Sequence, residues 1–194
     1  MRRFKSTFIK NSVSMLLIAL TIVVGIFIFT QYTNKKMNNI DIGGSFKLIN
    51  QEGKPYLSES SDKKKVLYFG YTFCPDICPM DILKISRFID QRPELIKNFD
   101  FIFITVDPER DNQNQMKNFM SNFNEHLIGL TGEIKDIDDV LSKYRIYVKR
   151  NKKVNDDNYL VDHSSLIFLI NEKDEYITHF SPNDFEDKFL NFIN

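Results

Sequence analysis

The feature that most constrains this chain is an apolar run that leads directly into a pair of cysteines. The run covers residues 66–73, and Cys74 and Cys78 after it are the only two cysteines of the chain. The run is typical of a buried strand and the residues after it predict a helix, so the pair lies at a strand-to-helix turn. Cysteines at positions i and i+4 share one helix face, with their β-carbons about 5–6 Å apart. This spacing suits either a shared metal ion or, after a small shift, a disulfide.

A purely structural disulfide between these cysteines would close a loop of only a few residues. Because the stabilisation that a disulfide provides grows with loop length, such a bridge would add little to the free energy of unfolding. We therefore expect the pair to serve thiol reactivity or metal binding.

The N-terminal region carries a second strong signal. Residues 12–30 contain no charged side chain. As a helix, residues 13–30 would span about 27 Å, close to the thickness of a hydrocarbon core. Four basic residues precede the run, and Lys35 and Lys36 follow it closely. This excess of positive charge before the run predicts a cytoplasmic N-terminus.

These signals divide the chain into four segments. They are a basic cytoplasmic tail at 1–11, a transmembrane anchor at 12–31, a polar tether at 32–44 and an exported domain at 45–194. A cleaved signal peptide is the alternative to the anchor. The apolar run, however, exceeds the roughly 7–15 residues of a signal peptide, and no small-x-small cleavage site follows it. The exported domain is long enough to bury a core of its own.

The charge balance argues against a nucleic-acid partner. The chain has 26 basic and 26 acidic residues, and because four of the basic ones precede the apolar run, 22 basic and 26 acidic residues remain from residue 31 onward. A nucleic-acid-binding domain usually carries an excess of basic residues on one face. The short basic cluster Lys63–Lys65 is interpreted as a solvated turn.

Alternating strand and helix patterns predict an α/β fold. We expect strands at 46–49, 65–71, 99–106, 146–148, 166–170 and 176–180, and helices after Cys78, from Asp111, at 134–144 and at 182–193. Gly129–Gly132 is expected to be a loop, and Lys149–Asn158 a charged excursion with hairpin character. This order of elements around an early cysteine-bearing turn predicts a thioredoxin-like fold, with a central mixed sheet flanked by helices and one transmembrane helix before it.

Four blocks of sequence resemble the signature blocks of the Sco family. They are Phe69–Pro79, Val106–Asp111, Gly129–Gly132 and Tyr159–Ser164, and they follow the order and spacing of that family. Its members are membrane-anchored copper-binding proteins of thioredoxin fold that help to assemble the copper centre of cytochrome c oxidase. The sequence departs from a number of these relatives at Phe73, where they carry a histidine. The departure removes an extra donor but no ligand.

The resemblance implies a copper site made by Cys74, Cys78 and His163. Thiolates favour Cu(I) and imidazole suits both oxidation states, so we expect one copper ion per chain, as Cu(I), Cu(II) or both. Zinc suits the set less well, because closed structural zinc sites have four ligands. His163 follows Cys78 by 85 residues, so only tertiary folding can bring them together. His126 and His179 are expected to have surface or hairpin roles.

Three aspartates are expected near this site. Asp162 is expected to orient the ring of His163 as a hydrogen-bond acceptor. Asp76 is interpreted as a helix cap or as a residue that docks a partner. Asp107 is interpreted as part of a capped strand-to-helix loop or, together with Arg110, as a residue that lines the copper face or meets a partner.

The function implied by the resemblance is that of a tethered metallochaperone, without catalytic turnover. The protein would take copper from an upstream donor and deliver it to the copper-bearing subunit of cytochrome c oxidase. The anchor would hold the protein on the same membrane as this client, which raises their effective concentration. The alternative is a thiol–disulfide oxidoreductase that reduces the cysteines of its client. The usual redox motif is Cys-x-x-Cys, however, and a dithiol enzyme leaves His163 without a role. We expect a bacterial inner membrane with the domain facing the periplasm; the alternative is a mitochondrial inner membrane facing the intermembrane space.

Overall fold

The computed structural model describes residues 19–30, 42–152 and 159–193. The chain divides into two compact units, with the boundary after Asp41. In the first unit, residues 19–30 form helix α1, and its large apolar side chains are exposed. Within the described part of the chain, no helix combines the length and the apolarity needed to cross a membrane.

Several of the predicted segments lie partly or wholly outside the described residues. These are the tail at 1–11, residues 12–18 and 31 of the anchor, residues 32–41 of the tether, and residues 153–158 of the charged excursion.

The second unit is built on nine strands. In chain order they are β1 Lys47–Asn50, β2 Pro55–Leu57, β3 Lys64–Gly70, β4 Phe99–Thr105, β5 Leu127–Thr131, β6 Val148–Arg150, β7 Val161–His163, β8 Ile167–Ile170 and β9 Tyr176–Phe180. Seven of them form a mixed sheet in the order β2-β1-β5-β4-β3-β8-β9, and β6 and β7 form a separate antiparallel ribbon. Strands β3, β4 and β5 run parallel at the centre of the sheet. The predicted α/β class and central mixed sheet are confirmed.

Helices cover both faces of this sheet. They are α2 Ile77–Gln91, α3 Gln113–Met120, α4 Ile134–Lys143 and α5 Phe185–Ile193. On one face, Phe88 of α2 packs against Phe101 of β4 and Phe185 of α5. On the other face, Tyr144 at the end of α4 packs against Phe69 of β3. Two apolar layers thus hold β3 rigidly, and the cysteine loop leaves the end of that strand.

The prediction of a loop at Gly129–Gly132 is wrong, because residues up to Thr131 belong to β5. Gly129 lies inside this strand, and helix α3 packs so closely on it that a larger residue would not fit. A Cβ atom at position 129 would overlap Cγ of Met120 and lie 2.8 Å from Sδ of Met116. The glycine therefore marks a close approach between helix and strand rather than a turn.

The interpretation of Lys65 as part of a solvated turn is also wrong. Lys65 is completely buried, and its Nζ lies 2.9 Å from Oδ1 of Asp174, which is buried as well. The same ammonium group donates to the backbone carbonyls of Ser61 and Glu172, both at 3.3 Å. Ser58 Oγ donates to the other carboxylate oxygen of Asp174 at 2.6 Å. The lysine is therefore compensated inside the core.

Candidate functional site

The first arm of the site is the loop between β3 and α2. Cys78 lies in the first turn of α2 and is completely buried, whereas Cys74 is half-buried. Both cysteines are free thiols. The backbone N–H of Cys78 donates to Sγ of Cys74, with an N–S distance of 3.4 Å. The start of the helix thus directs an unpaired N–H at the first sulfur, which stabilises negative charge there.

The second arm is the ribbon of β6 and β7, which ends in His163. Nε2 of His163 lies 3.2 Å from Sγ of Cys78. The other ring nitrogen, Nδ1, lies 3.0 Å from the backbone carbonyl of Ser164. An N–H at Nδ1 donates to this carbonyl, so Nε2 faces the sulfur with its lone pair. Folding therefore brings together two of the three predicted donors, Cys78 beside the main sheet and His163 on the two-stranded ribbon.

Burial shapes the protonation of this pair. Burial raises the pKa of the Cys78 thiol well above its usual range. Burial also lowers the pKa of the His163 imidazole. At neutral pH the pair is therefore a thiol beside a neutral imidazole, with the S–H group placed to donate to Nε2.

Space for the sulfur of Cys78 depends on a glycine beneath it. A Cβ atom at Gly70 would lie 3.2 Å from this sulfur and 2.8 Å from the ring of Phe103. Close by, Tyr68 donates its hydroxyl to Oδ2 of Asp81 at 3.1 Å. Gly70 and the layer around it therefore form the floor of the site.

Asp111 supports the site from within the core, a role that was not predicted from the sequence. Its buried carboxylate accepts hydrogen bonds from the N–H of Thr72 at 2.9 Å and from the hydroxyls of Thr72 and Thr105, both at 2.6 Å. Its backbone carbonyl accepts from Thr131. One residue thus ties the start of the cysteine loop to the ends of β4 and β5. Burial raises the pKa of Asp111.

The helix predicted from Asp111 is confirmed, but it begins two residues later, at Gln113, and its first turn is capped by Asn112. Oδ1 of Asn112 accepts the N–H of Gln115 at 3.0 Å. The position of Asp111 after a buried strand was the available signal for its structural role.

Asp107 fastens the histidine ribbon to the loop after β4. Its carboxylate is buried, pairs with Nε of Arg110 at 2.5 Å and accepts the hydroxyl of Tyr159 at 2.7 Å. The guanidinium of Arg110 lies 3.7 Å above the ring of Tyr159. From the ribbon, Arg150 donates to the backbone carbonyl of Val106 at 2.8 Å. Since Asp107 is fully buried, it holds the loop and does not line an open face.

The role predicted for Asp162 is wrong. Asp162 is exposed and its Oδ2 accepts a hydrogen bond from Asn151 at 3.1 Å, while the partner of the His163 ring is the carbonyl of Ser164. The side chains of adjacent strand residues point to opposite faces, which directs Asp162 away from the imidazole. Asp76 occupies the N-cap position of α2, but its side chain makes no capping hydrogen bond.

The third predicted donor, Cys74, lines a cleft beside this contact. The cleft has a volume of about 340 Å³, and Tyr71, Cys74 and His163 contribute to its wall. Among the described residues, no three Cys, His, Asp or Glu side chains are arranged as a group that could hold a metal ion. His126 and His179 are exposed, as predicted. The structure thus pairs Cys78 with His163 and leaves Cys74 at the opening.

Together these features define a thioredoxin-like α/β domain with two free thiols near the start of a helix. One of them, Cys78, contacts an imidazole from a separate ribbon. The family model described as SCO1/SenC matches residues 34–194. The chain belongs to the SCO1/SenC family.

Known proteins similar to the chain include bacterial and mitochondrial members. An SCO2-like protein of Rickettsia prowazekii is 39% identical over 148 residues, which cover 74% of this chain and 71% of the relative. The mitochondrial SCO1 homolog of Homo sapiens is 34% identical over 149 residues, 73% of this chain and 48% of the relative.

Solved structures also resemble the chain. Copper-bound ScoI of Bradyrhizobium japonicum has a TM-score of 0.70 and 35% identity over 78% of this chain and 99% of that one. Copper-bound ScoI of Arabidopsis thaliana has the same TM-score and identity, over 78% of this chain and 98% of that one.

Proposed function

We propose that this protein binds one copper ion through Cys74, Cys78 and His163 and delivers it to the dinuclear copper centre of cytochrome c oxidase. The observation that carries the proposal is the 3.2 Å contact between Sγ of Cys78 and Nε2 of His163. Thiolate and imidazole are donors that copper prefers. Copper is the cargo of this protein, held until a partner takes it.

The chemistry of the donors fits copper. Two thiolates with Cu(I) carry a net charge of −1, and with Cu(II) they are neutral, so one ligand set suits both states. The lowered pKa of His163 keeps its imidazole neutral and ready to bind. The raised pKa of Cys78 means that the incoming ion displaces a proton from this thiol.

Cys74 is the donor through which a partner would reach the ion. It lines the cleft, whereas Cys78 is buried at the floor. Large apolar side chains stand exposed around it: Phe73 is 48% exposed, Leu160 54% and Ile77 59%. An apolar rim of this kind suits docking of another protein, in which the exposed Asp76 takes part at the edge.

The similarity to copper-bound ScoI proteins supports the choice of metal. We further propose that the N-terminal apolar run anchors the chain in an inner membrane. The domain would then face the periplasm or the intermembrane space, on the same membrane as its client. Tethering raises the effective concentration of donor and acceptor without any new contact.

A copper titration of the full-length chain tests this function. The chain is kept in detergent, because residues 19–30 expose apolar side chains. Anaerobic titration with Cu(I) against a competing chelator should give one ion per chain. Loss of a residue that only orients a ligand weakens metal binding about 10–100-fold. We expect a larger loss of copper affinity from each ligand variant: Cys74→Ser, Cys78→Ser and His163→Ala. His179→Ala is the matched control and should bind like the wild type.

A thiol–disulfide oxidoreductase is the second candidate function. It is favoured by the free state of both thiols, one half-buried and one buried beside an imidazole. In that reaction the two thiols would pass two electrons and two protons to a client disulfide and become a disulfide themselves. His163→Ala separates the two functions. Loss of copper binding with retained thiol exchange and client maturation would favour the oxidoreductase.

A further inference from the structure

We infer that Tyr71 is a positioning residue that sets the distance between the cysteine arm and the imidazole of His163. It is a single buried side chain, 3% exposed, placed directly after β3. It contacts both arms of the site. The inference rests on the proposed copper function only for its metal readout, since the contacts belong to the metal-free chain.

On the cysteine side, Tyr71 controls the backbone of the loop. Its carbonyl accepts the N–H of Cys74, with an N–O distance of 3.3 Å. This bond closes a tight turn over Thr72 and Phe73 and fixes the direction in which the chain enters the cysteine pair.

On the histidine side, the side chain of Tyr71 reaches the ribbon twice. Its ring meets the ring of His163 edge to face, with centroids 5.9 Å apart and planes at 86°. Its hydroxyl accepts the N–H of Val161, two residues before His163, at 3.4 Å. The ring therefore limits rotation of the imidazole, and the hydroxyl holds the strand that carries it.

The other contacts that hold the ribbon do not link the imidazole to the cysteine loop. Tyr159 is bonded to Asp107 and stacked under Arg110, so it holds the start of β7 from the loop after β4. These contacts are therefore with the loop after β4 and not with the ring of His163. The carbonyl of Ser164 fixes Nδ1 from the ribbon itself. Tyr71 thus contacts the imidazole with its ring and the loop of Cys74 with its backbone carbonyl.

A core aromatic residue that only fills space would give a different result from a positioning residue. Loss of a filler lowers the stability of the whole domain and removes its ring current from the nearest histidine, but leaves that histidine in place. Loss of a positioning residue shifts the His163 resonances and also weakens the Overhauser contact between the His163 ring and the Cβ protons of Cys78, whose sulfur lies 3.2 Å from Nε2 in the intact chain. The chain has three histidines, so His126 and His179 serve as internal controls in one spectrum.

The experiment records the imidazole resonances of the reduced, metal-free, untagged full-length chain by NMR. In the wild type we expect nuclear Overhauser contacts between the ring protons of Tyr71 and His163. Tyr71→Leu should shift the resonances of His163 and leave those of His126 and His179 in place. Tyr71→Phe, which keeps the ring, should return the His163 resonances close to their wild-type positions.

A matched control comes from a second aromatic–histidine pair. Phe168 is buried and its ring lies 6.0 Å from that of His179. Phe168→Leu should move the resonances of His179 and not those of His163. The metal readout follows on the same samples. Tyr71→Leu should weaken the nitrogen coupling in the Cu(II) electron paramagnetic resonance spectrum and lower copper affinity about 10-fold, as expected for a residue that orients a ligand.

The outcomes are distinct. Absence of the Tyr71–His163 Overhauser contact in the wild type overturns the inference, even if Tyr71→Leu fails to fold. Unchanged His163 resonances in a folded Tyr71→Leu chain overturn it as well. If the wild type binds no copper, the proposed function fails, and the metal-free imidazole shifts still decide the role of Tyr71.

Discussion

Cys78 and His163 are 85 positions apart in the chain, and their side chains meet at 3.2 Å. Cys78 lies in the first turn of α2, the helix that follows β3 of the main sheet, whereas His163 ends β7 of the separate ribbon. The contact therefore exists only when the ribbon is docked on the domain. Substitutions that loosen this docking should therefore separate the side chains of Cys78 and His163 without disturbing the strand pairing of the main sheet.

Gly70→Ala should destabilise the domain by about 1–3 kcal/mol, as overpacking of a core does. The added methyl group would meet the ring of Phe103 at 2.8 Å and the sulfur of Cys78 at 3.2 Å. Urea denaturation measures the loss. Gly132→Ala is the control, because its methyl group would meet only the end of the Leu48 side chain, at 3.2 Å. Equal losses at both positions would argue against a tight floor under Cys78.

Lys65→Met should lower the free energy of unfolding by about 3–5 kcal/mol, since it leaves the buried carboxylate of Asp174 without its cation. The two groups are 0% and 1% exposed. Lys117→Met provides the comparison, because Lys117 pairs with Glu52 on the surface. There the loss should stay below about 1 kcal/mol. Similar effects in the two denaturation curves would contradict a special role of the buried pair.

The stability of the chain should depend on pH through Asp111. Burial raises its pKa above 3.8, the ordinary value of the carboxyl group. Between these two pKa values the folded chain holds more protons than the unfolded chain. The stability contributed by Asp111 is therefore complete below the unfolded pKa and declines as pH rises through the folded one.

The variant Asp111→Asn removes this titration, so it supplies the measurement. As pH rises from about 4 to about 7, the difference in free energy of unfolding should shift in favour of the variant. Urea denaturation at a series of pH values gives this difference. A difference that is flat, or that moves toward the wild type, is inconsistent with the raised pKa.

The two thiols should differ in reactivity. Cys78 is 0% exposed and burial raises the pKa of its thiol, so little thiolate is accessible there. Cys74 lines the open cleft. Iodoacetamide added to the folded, reduced chain should label Cys74 first, as read by peptide mass spectrometry. In urea both cysteines should react at similar rates, and equally fast labelling of Cys78 in the folded chain would refute the assignment of buried and open thiols.

Most of the sheet and the cysteine arm could be predicted from local sequence. The long apolar runs at β3 and β4 and the 3–4 spacing in α2 are signals that one stretch of chain carries by itself. Strand β7, with three residues, is too short to show a period, and the glycine in β5 imitates a turn. The buried state of Lys65 could not be predicted, because its partner Asp174 comes 109 residues later.

The candidate donors of the site were within reach of sequence reasoning, whereas the residues that support them were not. Cys74, Cys78 and His163 lie in motifs with a chemical meaning. Tyr71 and Asp111 act through contacts with residues that the fold alone brings near them. The error at Asp162 has the same origin: proximity in sequence to His163 does not decide which side of a strand faces the ring.

The division of the site between a sheet and a ribbon has a consequence for its diversification. The thiol half inherits the rigidity of seven paired strands, so its geometry is costly to alter. The imidazole half depends on a few side chains under a two-stranded module. Natural variation or engineering can therefore change the geometry between imidazole and sulfurs by altering that module, without redesigning the scaffold beneath the sulfurs.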